Sequence, residues 1–96
     1  MTGDKNMQKV IITVVGKDCV GIMAKVCTFL ADNRINISDI SQTIVSGYFN
    51  MMMIADMTEC PAGFEEIEKG LEDVGERIGV RIKMQREEIF GMMHRI

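Results

Sequence analysis

The spacing of apolar residues along this chain alternates between a strand period and a helix period, and that succession leaves few folds open. Lys9 to Val15 is a β-branched run with Val10, Ile12 and Val14 on one face and Ile11 and Val15 on the other, which predicts a central strand. From Ile22 the apolar positions become Ile22, Met23, Val26, Cys27, Phe29 and Leu30, with Lys25, Thr28 and Asp32 opposite, so an amphipathic helix is predicted to end near Asn33. Asn36 to Val45 alternates again, with Ile40 and Ile44 on one face and Asp39, Ser41 and Thr43 on the other, as a more polar edge strand does. Ser46-Gly47 then predicts a tight hairpin into Tyr48 to Met57, where Phe49, Met51, Met53, Ala55 and Met57 recur at every second position.

That third strand closes at Thr58, and Pro61 marks entry to a second helix whose stripe is Phe64, Ile67, Leu71, Val74 and Ile78. Gly70 and Gly75 flank the stripe, a placement that predicts close backbone packing against a sheet. After Gly79, Val80, Ile82 and Met84 alternate with Arg81, Lys83 and Gln85, giving a strand with one buried face. Strand, helix, strand, strand, helix, strand is a split βαβ order. With right-handed crossovers it predicts an α+β fold: a ferredoxin-like βαββαβ sandwich, in which two helices cover one face of a four-stranded antiparallel sheet. The first and third strands are expected at the centre and the second at an edge.

Ninety-six residues allow one domain. Residues 1–6 read as a flexible tail and 7–86 as the folded domain. Residues 87–96 read as a short C-terminal helix, whose Ile89, Phe90, Met92, Met93 and Ile96 need cover from their own domain or from a second subunit. So small a core favours the second subunit. His94 and Arg95 either pair with a carboxylate or are simply the wet side of that tail, the second being the favoured reading.

Composition excludes several classes. A 47% hydrophobic and 26% charged chain, whose apolar runs fall well short of a bilayer span, has no predicted membrane helix. The polar start lacks the apolar stretch of a secretory signal, so the expected compartment is the cytoplasm. Cys19, Cys27 and Cys60 form no C-x-x-C pair and His94 is the single histidine, so neither a disulfide framework nor a metal site is expected. A net charge of -3 and 5% aromatics argue against nucleic acid, although the fold is shared with RNA recognition motifs. Met51-Met52-Met53 places Met51 and Met53 towards the helices and sends Met52, with Asn50 and Ile54, to the other face, which becomes a candidate dimer contact.

Candidate chemistry centres on Val14-Val15-Gly16-Lys17-Asp18-Cys19-Val20-Gly21-Ile22. A strand that stops at Gly16 and a helix that starts near Asp18 leave unpaired backbone N–H groups, which suit a carboxylate or phosphate. The structural alternative is that Asp18 is the N-cap of its own helix and Gly21 lets the first turn pack closely.

Three stretches, ITVVGKDCVGI at Ile12 to Ile22, NISDISQTIVSGYFNMMM at Asn36 to Met53 and REEIFGMMHRI at Arg86 to Ile96, resemble the ACT domain, specifically its short stand-alone bacterial and archaeal members. ACT domains are small-molecule sensors, usually for amino acids. They dimerise so that ligand lies between the first-strand-to-first-helix loop of one copy and the second-strand region of another. By position, the resemblance implies that Asp18, Cys19, Val20, Gly21 and Ile22 form the loop side and that Asn36 and Ile37 form the neighbour's side. Helix-start N–H groups would hold an α-carboxylate, Asp18 or a carbonyl the ammonium, and Asn36 would donate and accept. The family commonly carries a basic residue where this chain has Cys19, so a cationic partner for a carboxylate is missing at that position.

Cys19 could also be a redox-sensitive thiol at a helix start near Lys17, but no resolving cysteine is visible and an ordinary loop residue is the favoured reading. Acylphosphatases share the fold and use the same loop as a phosphate cradle. Their arginine beside the cradle has no counterpart here, although Asn50 is present, and there is no Ser/His/Asp set. The expected function is a non-enzymatic, homo-oligomeric sensor of an amino acid or similar metabolite, without a cofactor. The alternative is a ligand-free module that dimerises or docks on an enzyme or regulator.

Overall fold

In the computed structural model, residues 9–17 and 21–86 are described. Strand β1 (Lys9–Lys17), helix α1 (Ile22–Asp32), strands β2 (Asn36–Val45) and β3 (Tyr48–Asp56), helix α2 (Phe64–Ile78) and strand β4 (Val80–Arg86) follow in the order the sequence predicts. Every strand pairing is antiparallel and the sheet runs β2-β3-β1-β4, so β1 and β3 are central and the ferredoxin-like assignment holds. The expected tail at residues 1–6 and the expected helix within 87–96 lie outside the described residues.

One face of the sheet makes the core. Val10, Ile12 and Val14 of β1, Phe49, Met51, Met53 and Ala55 of β3, and Ile82 and Met84 of β4 meet Ile22, Val26 and Leu30 of α1 and Ile67 and Leu71 of α2. Each of these side chains larger than that of Ala55 contributes about 1.5–3 kcal/mol when fully buried. Met52 and Asn50 fall on the opposite, open face, as the alternation predicts.

Backbone chemistry sets the joints. Ser46 (φ 53°) and Gly47 (φ 83°) both take positive φ in the two-residue hairpin joining β2 to β3, the primed turn that matches strand twist. At the end of α1 the Asn33 side-chain amide donates to the Phe29 carbonyl at 2.8 Å, and the Ile35 N–H donates to the Leu30 carbonyl at 2.9 Å. Arg34 takes the left-handed conformation (φ 61°) between them. Helix α2 begins after Pro61 with Gly63 at its cap and Glu65 and Glu66 in its first turn, and it stops at Gly79 (φ 78°). Gly75 packs against β4 as expected, since a Cβ there would stand 2.7 Å from the Val80 carbonyl oxygen. Gly70 differs from expectation. It makes room for the Phe29 ring of α1, so it serves helix-on-helix packing and not helix-on-sheet packing.

Candidate functional site

Helix α1 starts at Ile22, with Gly21 as its N-cap at φ 93°, ψ -1°. This corrects the expected start near Asp18 and the reading of Asp18 as the cap. Only a residue without a Cβ sits comfortably at such a φ, and the side-chain space at Gly21 is open. Asp18, Cys19 and Val20 themselves lie outside the described residues, and with them the question of a reactive Cys19.

The first intrahelical bond runs from the Lys25 N–H to the Gly21 carbonyl at 2.9 Å, so the amides of Ile22, Met23 and Ala24 precede the helical ladder. Helix α2 answers its own positive end with Glu65 and Glu66, whereas α1 has no acid in its first turn. The first turn of α1 therefore carries no acidic side chain of its own to answer these amides. Ile22 is a core residue at 2% exposure, so its side chain anchors the helix and only its backbone amide is available to a ligand.

Asn36 and Ile37, the other expected half, open β2. Between Ile37 and Asp39 the register with β3 shifts, a bulge at Ser38 that simple alternation along Asn36 to Val45 does not predict. The extra residue turns Ile37, opposite Ala55, to the same side as Ile40, Gln42 and Ile44, opposite Met53, Met51 and Phe49. That is the helix side of the sheet, yet every residue of β2 is exposed, Ile44 by 58%. Among the described residues the core beneath the helices takes side chains from β1, β3 and β4 and none from β2, which leaves three isoleucines on an exposed ledge. Periodicity identifies Ile40 and Ile44 as a face. It does not say that the core beneath the helices takes no side chain from it.

Within one chain the described parts of the two halves lie at opposite ends of the sheet. Asn36 pairs with Asp56, which pairs with Lys9, so Asn36 is level with the start of β1. Gly21 follows Lys17, which pairs with Tyr48 and is level with Val45, at the other end. The nine residues of β1 separate the two levels, roughly 26 Å at the usual strand rise. Three concavities lined by described residues lie elsewhere: one beside β4 and Glu72, one between the helices at Phe29 and Val74, and a shallow one on the open face at Thr13, Thr43 and Met52.

A family model described as ACT domain matches residues 8–85. The chain belongs to the ACT domain family. A UPF0237 protein of Bifidobacterium longum is 59% identical to this ACT domain over 90 residues, 94% of this chain and 100% of that protein. Similar stand-alone proteins occur in Listeria innocua and Methanocaldococcus jannaschii, so bacteria and archaea both have them. Among solved structures, an ACT domain protein from Streptococcus pneumoniae superposes with a TM-score of 0.77 at 40% identity, covering 86% of this chain and 93% of that one. A putative glycine cleavage system transcriptional repressor superposes with a TM-score of 0.74 at 25% identity, over 83% of this chain but 46% of its own. ACT domains are regulatory small-molecule-binding domains; of the ligand-site residues implied by the sequence resemblance, Gly21, Ile22, Asn36 and Ile37 are among the described residues.

Among the described residues there is no group of three or more His, Cys, Asp or Glu side chains able to hold a metal ion. No described helix is long and apolar enough to cross a membrane.

Proposed function

We propose that this ACT domain is a homo-oligomeric sensor of an amino acid or a closely similar metabolite, and that its site is assembled between two copies. The observation that carries this reading is the separation of the described parts of the two half-sites, at opposite ends of one sheet. An antiparallel two-fold at the β2 edge would reverse the neighbour, bringing its Asn36 and Ile37 to the level of this copy's Gly21. The exposed Ile37, Ile40 and Ile44 supply apolar surface for such a contact, and an eight-stranded sheet would satisfy the free edge.

In that assembly the amides at the start of α1 receive the α-carboxylate, with Gly21 allowing close approach. Asp18, Cys19 and Val20 complete the loop wall, with Asp18 or a carbonyl taking the ammonium. The partner's Asn36 supplies one donor and one acceptor. Helix-start amides can hold a carboxylate without a basic side chain at Cys19, and the absence of an acid from the first turn of α1 favours that. The role read here is regulatory binding, supported by the match of residues 8–85 to a regulatory small-molecule-binding family. Ligand shifts the association state, or the affinity for a regulated protein, to the extent that it binds the two states differently. The described thiols Cys27 and Cys60 are free, which suits a cytoplasmic setting.

A thermal-shift screen of the common amino acids, paired with sedimentation, tests this. A ligand at 100 times its dissociation constant stabilises by about 2.7 kcal/mol, roughly 10 °C or more for a domain of this size. A flat screen on a stable dimer would overturn the sensor and leave the alternative of a ligand-free interaction module.

A further inference from the structure

Arg34 holds φ 61° in the connection between α1 and β2, a left-handed conformation that an L side chain adopts at a cost. Among the described residues the other such position without glycine is Ser46, in a two-residue hairpin whose turn demands positive φ. At Arg34 the fold fixes the backbone from both sides. Its own N–H donates to the Ala31 carbonyl at 3.0 Å, the Ile35 N–H donates to the Leu30 carbonyl at 2.9 Å, and Ile35 is held in the core at 4% exposure. Helices that end this way ordinarily place glycine at the left-handed position. The arginine side chain is exposed, so packing does not offset the strain. Strain kept without such an offset points to a role for the side chain.

We infer that Arg34 of one copy joins the α1 amides of the other in holding the ligand's carboxylate, an inference that rests on the reading of the site as shared between two copies. Arg34 precedes Asn36 by two residues, at most about 7 Å of chain, and an arginine side chain covers that length. A two-fold that continues the sheet across β2 stands normal to it, so the helix layers of both copies lie on one side. The α1-to-β2 connection of one copy and the start of α1 in the other each join sheet to helix layer, and they come to the same end of the interface. The described cations nearest Gly21 in sequence are placed elsewhere. Lys17 shares the open face with Thr13 and Val15, and Lys25 lines the concavity between the helices. Arg34 therefore supplies what the loop side lacks: a planar guanidinium whose two parallel N–H donors match the two oxygens of a carboxylate. The competing role is a local one, in which a positive charge just past α1 answers the negative end of that helix, whose last turn holds no basic residue. A ligand's charge separates the two roles.

The test is calorimetric titration of the full chain with the common amino acids one by one, and with the primary amide of each that binds, in which the carboxylate charge is removed. The natural chain is expected to prefer the acid to its amide. In Arg34→Asn, which keeps a residue suited to the left-handed backbone, the acid should bind about tenfold or more weakly while the amide stays within about twofold, so the preference collapses. Arg34→Gly is expected to behave alike and guards against a fault particular to the asparagine side chain. Arg34→Lys should recover part of the preference, since an ammonium keeps the charge without the paired donors. Acid binding unchanged in both uncharged variants would overturn the inference while leaving the shared site intact. Equal losses for acid and amide would also overturn it, because they would assign Arg34 a purely structural role. A natural chain that binds none of the amino acids would remove the sensor reading itself, and this inference with it.

Discussion

Val80 occupies the space where a side chain of Gly16 would stand: a Cβ on Gly16 would lie 2.6 Å from Val80 Cγ1 and 2.9 Å from its Cβ. The two residues are cross-strand partners, so neither can step aside without opening the β1–β4 ladder beside the α1 loop. Gly16→Ala is expected to destabilise the domain by about 1–3 kcal/mol, the usual penalty of overpacking. Adding Val80→Ala should recover part of it. Denaturant unfolding of the three proteins checks this, and additive losses in the double variant would show that the two positions do not compete for space.

Arg34 holds a left-handed conformation at the end of α1, where glycine is the favoured residue. An L side chain there costs about 1 kcal/mol, and Arg34 is exposed, so packing does not offset it. Arg34→Gly is expected to raise stability by about 0.5–1 kcal/mol. Thermal unfolding measures the gain. If it is accompanied by weaker binding of whichever amino acid the screen identifies, the strained arginine also serves the neighbouring Asn36 half-site.

Gly21 presents the opposite case. Its φ of 93° is intrinsic to the α1 cap, so Gly21→Ala is expected to cost about 1–2 kcal/mol although no atom crowds the new methyl. Because the strain is relieved by turning the first peptides of α1, ligand binding should fall more than stability alone explains. Calorimetric titration beside denaturant unfolding separates the two effects.

Ile44 is 58% exposed on the ledge of β2. Ile44→Asp is expected to leave the stability of the isolated chain within about 0.5 kcal/mol, as for most surface changes, and to weaken self-association by at least tenfold. Sedimentation velocity over a concentration series reads this directly. Unchanged association would place the contact elsewhere, for example on the open face at Met52.

Much of this architecture is legible in the residues, and the exceptions have physical causes. The strands and helices follow from apolar periods of two and 3.6, which report the face each element buries, and Ser46-Gly47 specifies its turn through positive φ. Three features escape that logic. The start of α1 is shifted to Gly21, because a polar run such as Lys17-Asp18 signals a cap without saying which residue takes it. The bulge at Ser38 moves Ile37 to the face of Ile40, a one-residue slip that no alternation count contains. Gly70 meets Phe29 of the other helix, a partner fixed by tertiary packing alone. For the candidate site, the motif supplies the residues, whereas their separation along the sheet, and hence the need for a second copy, emerges only from strand register.

The central claim is that Asn36 of one copy completes the site beside Gly21 of another. Pulsed electron spin resonance tests it most directly, with one spin label at Asn36→Cys in one population and one at Lys17→Cys in the other, the native cysteines replaced and the populations mixed. Within a chain these positions are separated by roughly 26 Å along the sheet, while a two-fold at β2 brings them to about three strand spacings, roughly 15 Å. A short distance found only in the mixed sample is the expected result; mixed samples with no intermolecular distance below 25 Å would contradict it.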